Sequence, residues 1–393
     1  MSEIIKEVKK EKKLRVFISS NSPWATSGYS GQISELLPLI RDEGYPLAMV
    51  DFFGLEGGKL IIDGVLHYPK INHVYGSDAL IHHARDFKAD VVFTLQDQWV
   101  LNPVDLQQVN RYIPITPVDH NPAPNAVLEK LRFAYRIVTY SKFGQKALQD
   151  KGFMSTYIPH TVNTEIFKPM DKAEAKKALG IHPDVFVCGM VAANKDNPPR
   201  KSFQEVLDAF KMFLTKVPNS ILYIHTNPDF PGGFPIKEYA GFIGIGNNVI
   251  FPDVYQMNFN VDKSKMAIIY NTFDVLLSPS FSEGFCVPLI ESQACGVPVV
   301  TNDWTSMAEL VLPGKTGYKT KVAYKRFTPL GSYAGIPDTE DIFNGLMAVH
   351  DMDKEKTKEM CRNFIVDNYD TKYVFEKYWK PFLETLEKEI YGS

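Results

Sequence analysis

The chain has 393 residues, 45% hydrophobic and 23% charged, a balance normal for globular protein and a length that suits two or three domains rather than one core. Its 43 basic and 46 acidic side chains leave a net charge of −3, which excludes the basic excess expected of a general nucleic-acid binder. Cys188, Cys286, Cys295 and Cys361 form no CxxC pair, so neither a zinc site nor a disulfide framework is indicated, and a reducing, cytoplasmic setting is expected.

The N-terminal run MSEIIKEVKKEKKLR is charged and lacks the apolar centre of a secretory signal. It reads as a solvated arm, with weak peripheral contact to anionic lipid as a second reading. No apolar run reaches the roughly 18 residues needed to span a bilayer. LRVFIS, from Leu14, predicts the first strand. A polar loop carrying Gly28 and Gly31 follows, then a helix over about 32–43. Such a loop can reach a phosphate across a cleft, but it lacks the GxGxxG spacing of a dinucleotide site. PLAMVDF from Pro46, DVVFTLQD from Asp90, YIPITPVD from Tyr112, RIVTYS from Arg136 and TYIPHTV from Thr156 predict further strands. Helical patterns lie over 125–134 and 142–151. The alternation argues for a parallel α/β sheet. His120 falls at the carboxyl edge of one strand, where an imidazole can donate a hydrogen bond or move a proton.

FKPMDKAEAKKALGIHPD reads as a linker with a short helix, and the grammar then restarts. FVCGMVAAN is a strand, with Cys188 as a small core residue. The loop NKDNPPRKS brings Lys195, Arg200 and Lys201 to its carboxyl end, and Ser202 is an expected N-cap for the amphipathic helix FQEVLDAFKMFLTKV. Cations there can offset charge developing on a departing pyrophosphate. SILYIHTN and NVIFPDV are strands, and KSKMAIIYNTF is a helix.

DVLLSPSFSEGFCVPLIESQACGVPVVTND, residues 274–303, is the most informative stretch. It reads as strand, sharp loop, short helix, strand, with Pro288 in the helix's first turn and Gly296 at its stop. Glu283 and the helix start therefore fall at the strand's carboxyl edge, where open parallel sheets bind ligands. The N–H groups of Phe285, Cys286 and Val287 can receive an anion, and Gly284 permits close backbone approach. Glu283 and Glu291 can hold hydroxyls, although a glutamate beside a helix start can also simply complement the helix dipole. Helices finish the chain. Tyr373, Phe375, Tyr378, Trp379 and Phe382 in the last one need burial, which predicts that it crosses back onto the first lobe.

These residues together resemble the retaining GT-B glycosyltransferases, and within them glycosyltransferase family 4 (glycosyl transferases group 1). SEGFCVPLIE is similar to that family's Glu-x7-Glu motif, with Glu283 and Glu291 in the glutamate positions. VDHN places His120 where the family has its active-site histidine, and PPRKSFQEVLDAF looks like its basic loop and following helix. YIPHTVNTEIFKP is similar to another family segment, with His160, Thr161 and Asn163 in place of the usual Asn, Gly and Asp. Departures are Lys195 or a loss at the usual Arg, a short SGYSG loop, and the added stretches FPDVYQMNFNVDKSK and AYKRFTPLGSYAGIPD.

The resemblance implies two Rossmann-like domains facing a cleft. Residues 1–176 would form the acceptor side, 177–371 the donor side, and 372–393 the returning helix. It implies transfer of a sugar from a nucleoside-diphosphate sugar to a glycan, lipid or small-molecule acceptor, with no cofactor and no metal. Arg200, Lys201 and Lys195 would hold the diphosphate, Glu283 the donor-sugar hydroxyls and Glu291 the ribose. His120 would lie near the reacting carbon, and Gly28 would bring the first-lobe loop to the phosphate. A glycoside hydrolase built on the paired carboxylates, a nucleotide-sugar epimerase and a binding module without turnover remain the alternatives.

Overall fold

The computed structural model describes residues 12–259 and 261–392. Residues 1–11 of the charged arm, and with them the expected lipid contact, lie outside that range. Among the described residues no helix is long and apolar enough to cross a membrane.

Two parallel sheets form the frame. The first holds β1 (Val16–Asn21), β2 (Leu47–Phe53), β3 (Leu60–Ile62), β4 (Val65–Pro69), β5 (Val91–Leu95), β6 (Tyr112–Thr116), β7 (Val138–Thr139) and β8 (Thr156–Tyr157). Their order is β3-β4-β2-β1-β5-β6-β7-β8, parallel except for the β3–β4 hairpin. The second holds β9 (Phe186–Val191), β10 (Ser220–His225), β11 (Val249–Ile250), β12 (Val275–Ser278), β13 (Val299–Asn302) and β14 (Gly317–Thr320), in the order β11-β10-β9-β12-β13-β14. A separate antiparallel hairpin pairs β15 (Val322–Phe327) with β16 (Tyr333–Pro337). In β1, Val16 and Ile18 join one core while Phe17 joins another on the opposite face. Helices covering both faces explain why central strands read as unbroken apolar runs.

Several expectations change in detail. The first helix starts at Gly28, because Ser27 is extended and its side chain accepts from the N–H of Ser30. Ser202 is not a side-chain cap: it is left-handed, at φ 60°, and its hydroxyl donates to the Pro279 carbonyl. The segment from Thr156 yields only a two-residue strand, since it pairs with β7 alone at the sheet edge. The stretch after β11 is likewise a helix, Val254–Phe259, rather than more strand. The β3–β4 hairpin, the helix Ser77–Phe87 and the β15–β16 hairpin were not anticipated as elements.

The chain's last segment does cross back. It runs as Thr371–Val374, a π-helical turn over Phe375–Trp379, and Lys380–Tyr391. Phe375, Trp379 and Phe382 are buried, and Tyr373 and Tyr378 are half-buried. Trp379 and Phe382 meet Phe93 of β5 edge-on at 6.0 and 6.4 Å. Polar contacts fasten the same helix to the first lobe: Arg136 to Glu389 at 2.6 Å, Tyr391 to Asp90 at 2.7 Å and Lys380 to Glu43 at 2.9 Å. The linker is pinned on the other side. Lys172 and Lys176 each reach Asp274, just before β12, at 2.9 Å. Burial alone would raise the Asp274 pKa, but the two ammonium groups hold it below the ordinary value.

Trp379→Ala should cost about 3–5 kcal/mol of stability, the range for deleting a buried aromatic side chain. Chemical denaturation of the full chain checks this, and an unchanged midpoint would contradict the packing described.

Candidate functional site

The carboxyl ends of both sheets face each other, and the residues singled out above gather there unequally. Glu283 lies in the loop after β12, buried, with its carboxylate between two cations. Lys201 contacts one oxygen, and Arg200 lies 3.3 Å from the other. Arg200 also donates to the Ser282 carbonyl at 3.2 Å. Burial pushes the Glu283 carboxyl up, yet Lys201 and Arg200 outweigh that and hold it at about 2. The loop backbone is fixed as well: the hydroxyls of Thr305 and Ser306 donate to the Glu283 carbonyl at 3.1 and 2.7 Å.

Beyond Glu283 the chain turns into the helix Val287–Ala294 through Cys286, which is left-handed at φ 84°. The N–H groups of Gly284, Phe285 and Cys286 have no hydrogen-bond partner among the described residues. They lie beside the positive end of the helix dipole, an arrangement suited to an anion. The Cys286 thiol is pushed up to about 12, first by burial and then by the Glu283 charge, so it stays protonated and is no nucleophile.

Gly284 differs from expectation. A Cβ there would come within 2.9 Å of Pro117 and 3.1 Å of the Tyr140 hydroxyl. On its Cβ side the backbone closely approaches the first lobe. Phe285 follows suit: its ring is buried among Tyr140, His160 and Tyr369, at 6.1, 5.2 and 5.9 Å.

Glu291 sits one turn into the helix and accepts from the Tyr270 hydroxyl at 2.7 Å. Burial raises its pKa, against the opposing effects of that hydrogen bond and of Lys263. Lys263 in turn crosses to the first lobe, where it pairs with Glu35 and meets the Ser34 hydroxyl at 2.8 Å. Gly28, in the helix that carries Ser34 and Glu35, has open space where a Cβ would stand. Lys195 is exposed and forms no ion pair among the described residues, so it stands apart from the Glu283 cluster.

On the first-lobe side His120 is buried, with Nδ1 2.7 Å from Asp119. Two acids missed in the sequence belong here. Asp119 adjoins the histidine, and Asp97, just past β5, accepts from Tyr29 at 3.1 Å. Asp97 is pushed up to about 6, first by burial and then by Asp119, while Tyr29 and Arg200 oppose the shift. Arg200 itself is raised, chiefly by Glu283 and also by Asp119, which places it electrostatically between the lobes. The signal for Asp97 was available: an acid at a strand's carboxyl end in LQDQW, where such sheets bind ligands. Among the described residues no group of three or more His, Cys, Asp or Glu side chains could hold a metal ion.

Residues 171–325 match the family described as glycosyl transferases group 1. A D-inositol 3-phosphate glycosyltransferase of Catenulispora acidiphila is 29% identical over 169 residues, 43% of this chain and 39% of that protein. The lipopolysaccharide core mannosyltransferase LpsB of Rhizobium meliloti is 27% identical over 161 residues, covering 41% of this chain and 44% of its own length. The matches thus span less than half the length of these relatives. Among solved structures, sucrose-phosphate synthase of Thermosynechococcus elongatus superposes with a TM-score of 0.74 at 15% identity, over 97% of this chain and 100% of that one. Anabaena HepE in complex with UDP-glucose gives 0.67 at 15% identity, over 94% and 99%. These likenesses establish the GT-B fold.

Because the Glu283 pKa is depressed, its stabilisation is full above the ordinary value of 4.5 and is lost as pH falls towards about 2. Lys201→Met should raise the Glu283 titration point and move acid unfolding to higher pH. NMR of the side-chain carboxyl reads the first effect, and an unmoved titration point would refute the pairing.

Proposed function

We propose that this chain, a member of the glycosyl transferases group 1 with the GT-B fold, moves a sugar from a nucleoside-diphosphate sugar to an acceptor with retention at the transferred carbon. The observation that carries the reading is the joint placement of Glu283, its two cations and the unpartnered N–H groups of residues 284–286 at one sheet edge. Carboxylate, cations and free amides match the hydroxyls and phosphates of such a donor.

In this reading the diphosphate lies against Arg200, Lys201 and the helix start, with Lys195 adding charge from the outer loop. The bond from the anomeric carbon to the diphosphate oxygen breaks, and both cations stabilise the negative charge left on the phosphate. They supply what a metal ion would otherwise bring, so no metal is called for. The acceptor hydroxyl bonds the same carbon, and its proton passes to the departing phosphate. Glu283 accepts from donor-sugar hydroxyls, Glu291 from the ribose, and His120, oriented by Asp119, contacts the sugar near the reacting carbon. Phe285, Cys286 and Val287 contribute backbone N–H groups, and Gly28 leaves room for the first-lobe loop. HepE, a neighbour in fold, has been solved with UDP and with UDP-glucose, which supports a nucleotide-sugar donor here.

A glycoside hydrolase needs one carboxyl protonated as the acid. Glu283, held at about 2 by its cations, cannot supply that proton near neutral pH, and Glu291 accepts from the Tyr270 hydroxyl, a contact that favours its ionised form.

Thermal-shift screening against UDP-, GDP- and ADP-sugars should give one selective stabilisation, of size RT ln(1 + [L]/Kd). No response to any of them overturns the donor assignment. Glu283→Ala should lower transfer at least a hundredfold with the fold intact, the order seen when one preorganised polar group is removed. Arg200→Ala should weaken nucleotide binding in titration calorimetry about tenfold or more, and an unchanged Kd would remove the diphosphate role.

A further inference from the structure

Exposed aromatic side chains collect on the first lobe where its strands end. Trp24 follows β1, Phe53 ends β2, Tyr75 follows β4 and Trp99 follows β5, and these strands lie side by side as β4-β2-β1-β5. Each ring is between 41% and 58% exposed, far more than large aromatic side chains normally show. Two of them have anchoring contacts. The Trp24 indole N–H donates to the Gly54 carbonyl at 2.8 Å and its ring packs on His67 at 5.1 Å, which leaves the exposed part of the ring and not the N–H for a partner. Tyr75 packs edge-on to Phe52 at 6.1 Å.

Polar groups accompany the rings. Asp97 lies two residues before Trp99 and is the carboxylate that senses Asp119 on its own lobe and Arg200 and Glu283 across the cleft. Its neighbour Gln96 is 2% exposed, and neither end of its side-chain amide has a hydrogen-bond partner among the described residues. A buried amide with both ends unpaired costs on the order of 1–3 kcal/mol per group, so it points to a polar occupant.

We propose that this rim is the acceptor subsite and that it takes a neutral pyranose ring, stacked on Trp99 and Trp24, with a hydroxyl donated to Asp97. This rests on the glycosyltransferase reading and names its acceptor class. Aromatic faces suit the C–H faces of a sugar, and the amide and carboxylate suit its hydroxyls. The charge disfavours a phosphorylated ring: Asp97 and Asp119 both repel an anion at this edge, and Arg200, the cation that acts on Asp97 from the other lobe, is engaged by Glu283. It also disfavours a lipid surface, since the rings stand singly beside unpaired polar atoms instead of forming one continuous apolar face with cations around it.

The test uses the full chain, first titrated with UDP, GDP and ADP, then probed by saturation-transfer NMR with glucose, galactose, mannose, N-acetylglucosamine and glucose 6-phosphate. Vesicle sedimentation with phosphatidylglycerol runs in parallel. At least one neutral sugar should receive saturation. Its affinity should fall about tenfold in Trp99→Ala and in Trp24→Ala and return in Trp99→Phe, while the nucleotide Kd stays constant. Binding of the phosphorylated sugar alone, vesicle binding that Trp99→Ala abolishes, or neutral-sugar binding indifferent to both tryptophans would each overturn the proposal. The nucleotide titration separates the two readings: its failure rejects the donor assignment, whereas loss of the sugar arm alone rejects this subsite.

Discussion

Glu283 is an ionised carboxylate taken out of water, and its compensation organises the rest of the cleft. Isolated in a protein interior such a charge would take up a proton. Lys201 and the half-exposed Arg200 prevent that, and both come from a different strand's loop. The pairing therefore ties the end of β9 to the end of β12. It also presents two cations and one anion at one point, the composition needed for a ligand that is itself part phosphate and part hydroxyl. Removing either cation leaves the carboxylate with one partner, and removing Glu283 leaves two cations side by side. Its retention at a cleft edge makes more sense as a binding arrangement than as a stabilising device.

The lobes meet around the same loop. Gly284 has no room for a side chain against Pro117 and Tyr140, and Phe285 inserts its ring beside His160 and Tyr369. His160 stacks on Tyr140 at 3.9 Å, and its burial pushes it down to about 3, so it stays neutral and behaves as a flat packing ring. Two further bridges flank this seam. Glu309 accepts from the N–H groups of Lys142 and Phe143, and Lys263 pairs with Glu35. On the His120 side, the β15–β16 hairpin reaches over as well: the Asn121 N–H donates to the Tyr333 carbonyl at 3.3 Å. The added stretch that looked like an embellishment in sequence is thus a strut between the lobes.

What the sequence showed and what it hid follow from range. The apolar runs of β1, β5, β9 and β12 and the strand–loop–helix around Glu283 are local patterns, and they were legible. The cluster of Arg200, Lys201 and Glu283 was legible as far as placing all three at strand ends. Their direct pairing was not, because it depends on a contact 82 positions apart in the chain. Ser202 misled for a similar reason: its hydroxyl has a better partner in Pro279 than in its own helix. Gly284 was read as letting the backbone approach a ligand, and the crowding at its Cβ position, from Tyr140 of the other lobe, could not be seen in the sequence. Asp97 carried no motif, and its importance appears only once Tyr29, Asp119 and Arg200 surround it.

The returning helix has a consequence in time. Glu387 accepts from the Leu14 N–H, 373 positions away, and Trp379, Phe382, Leu383 and Leu386 share one core with Ile33, Leu37, Tyr45 and Phe93. During synthesis the first lobe emerges with that apolar surface bare, and its cover is made only after the second lobe. The second lobe is translated complete in the interval. A nascent chain thus carries an unfinished half until residues 371–391 emerge, a stage at which exposed apolar surface is prone to aggregation or to capture by a chaperone.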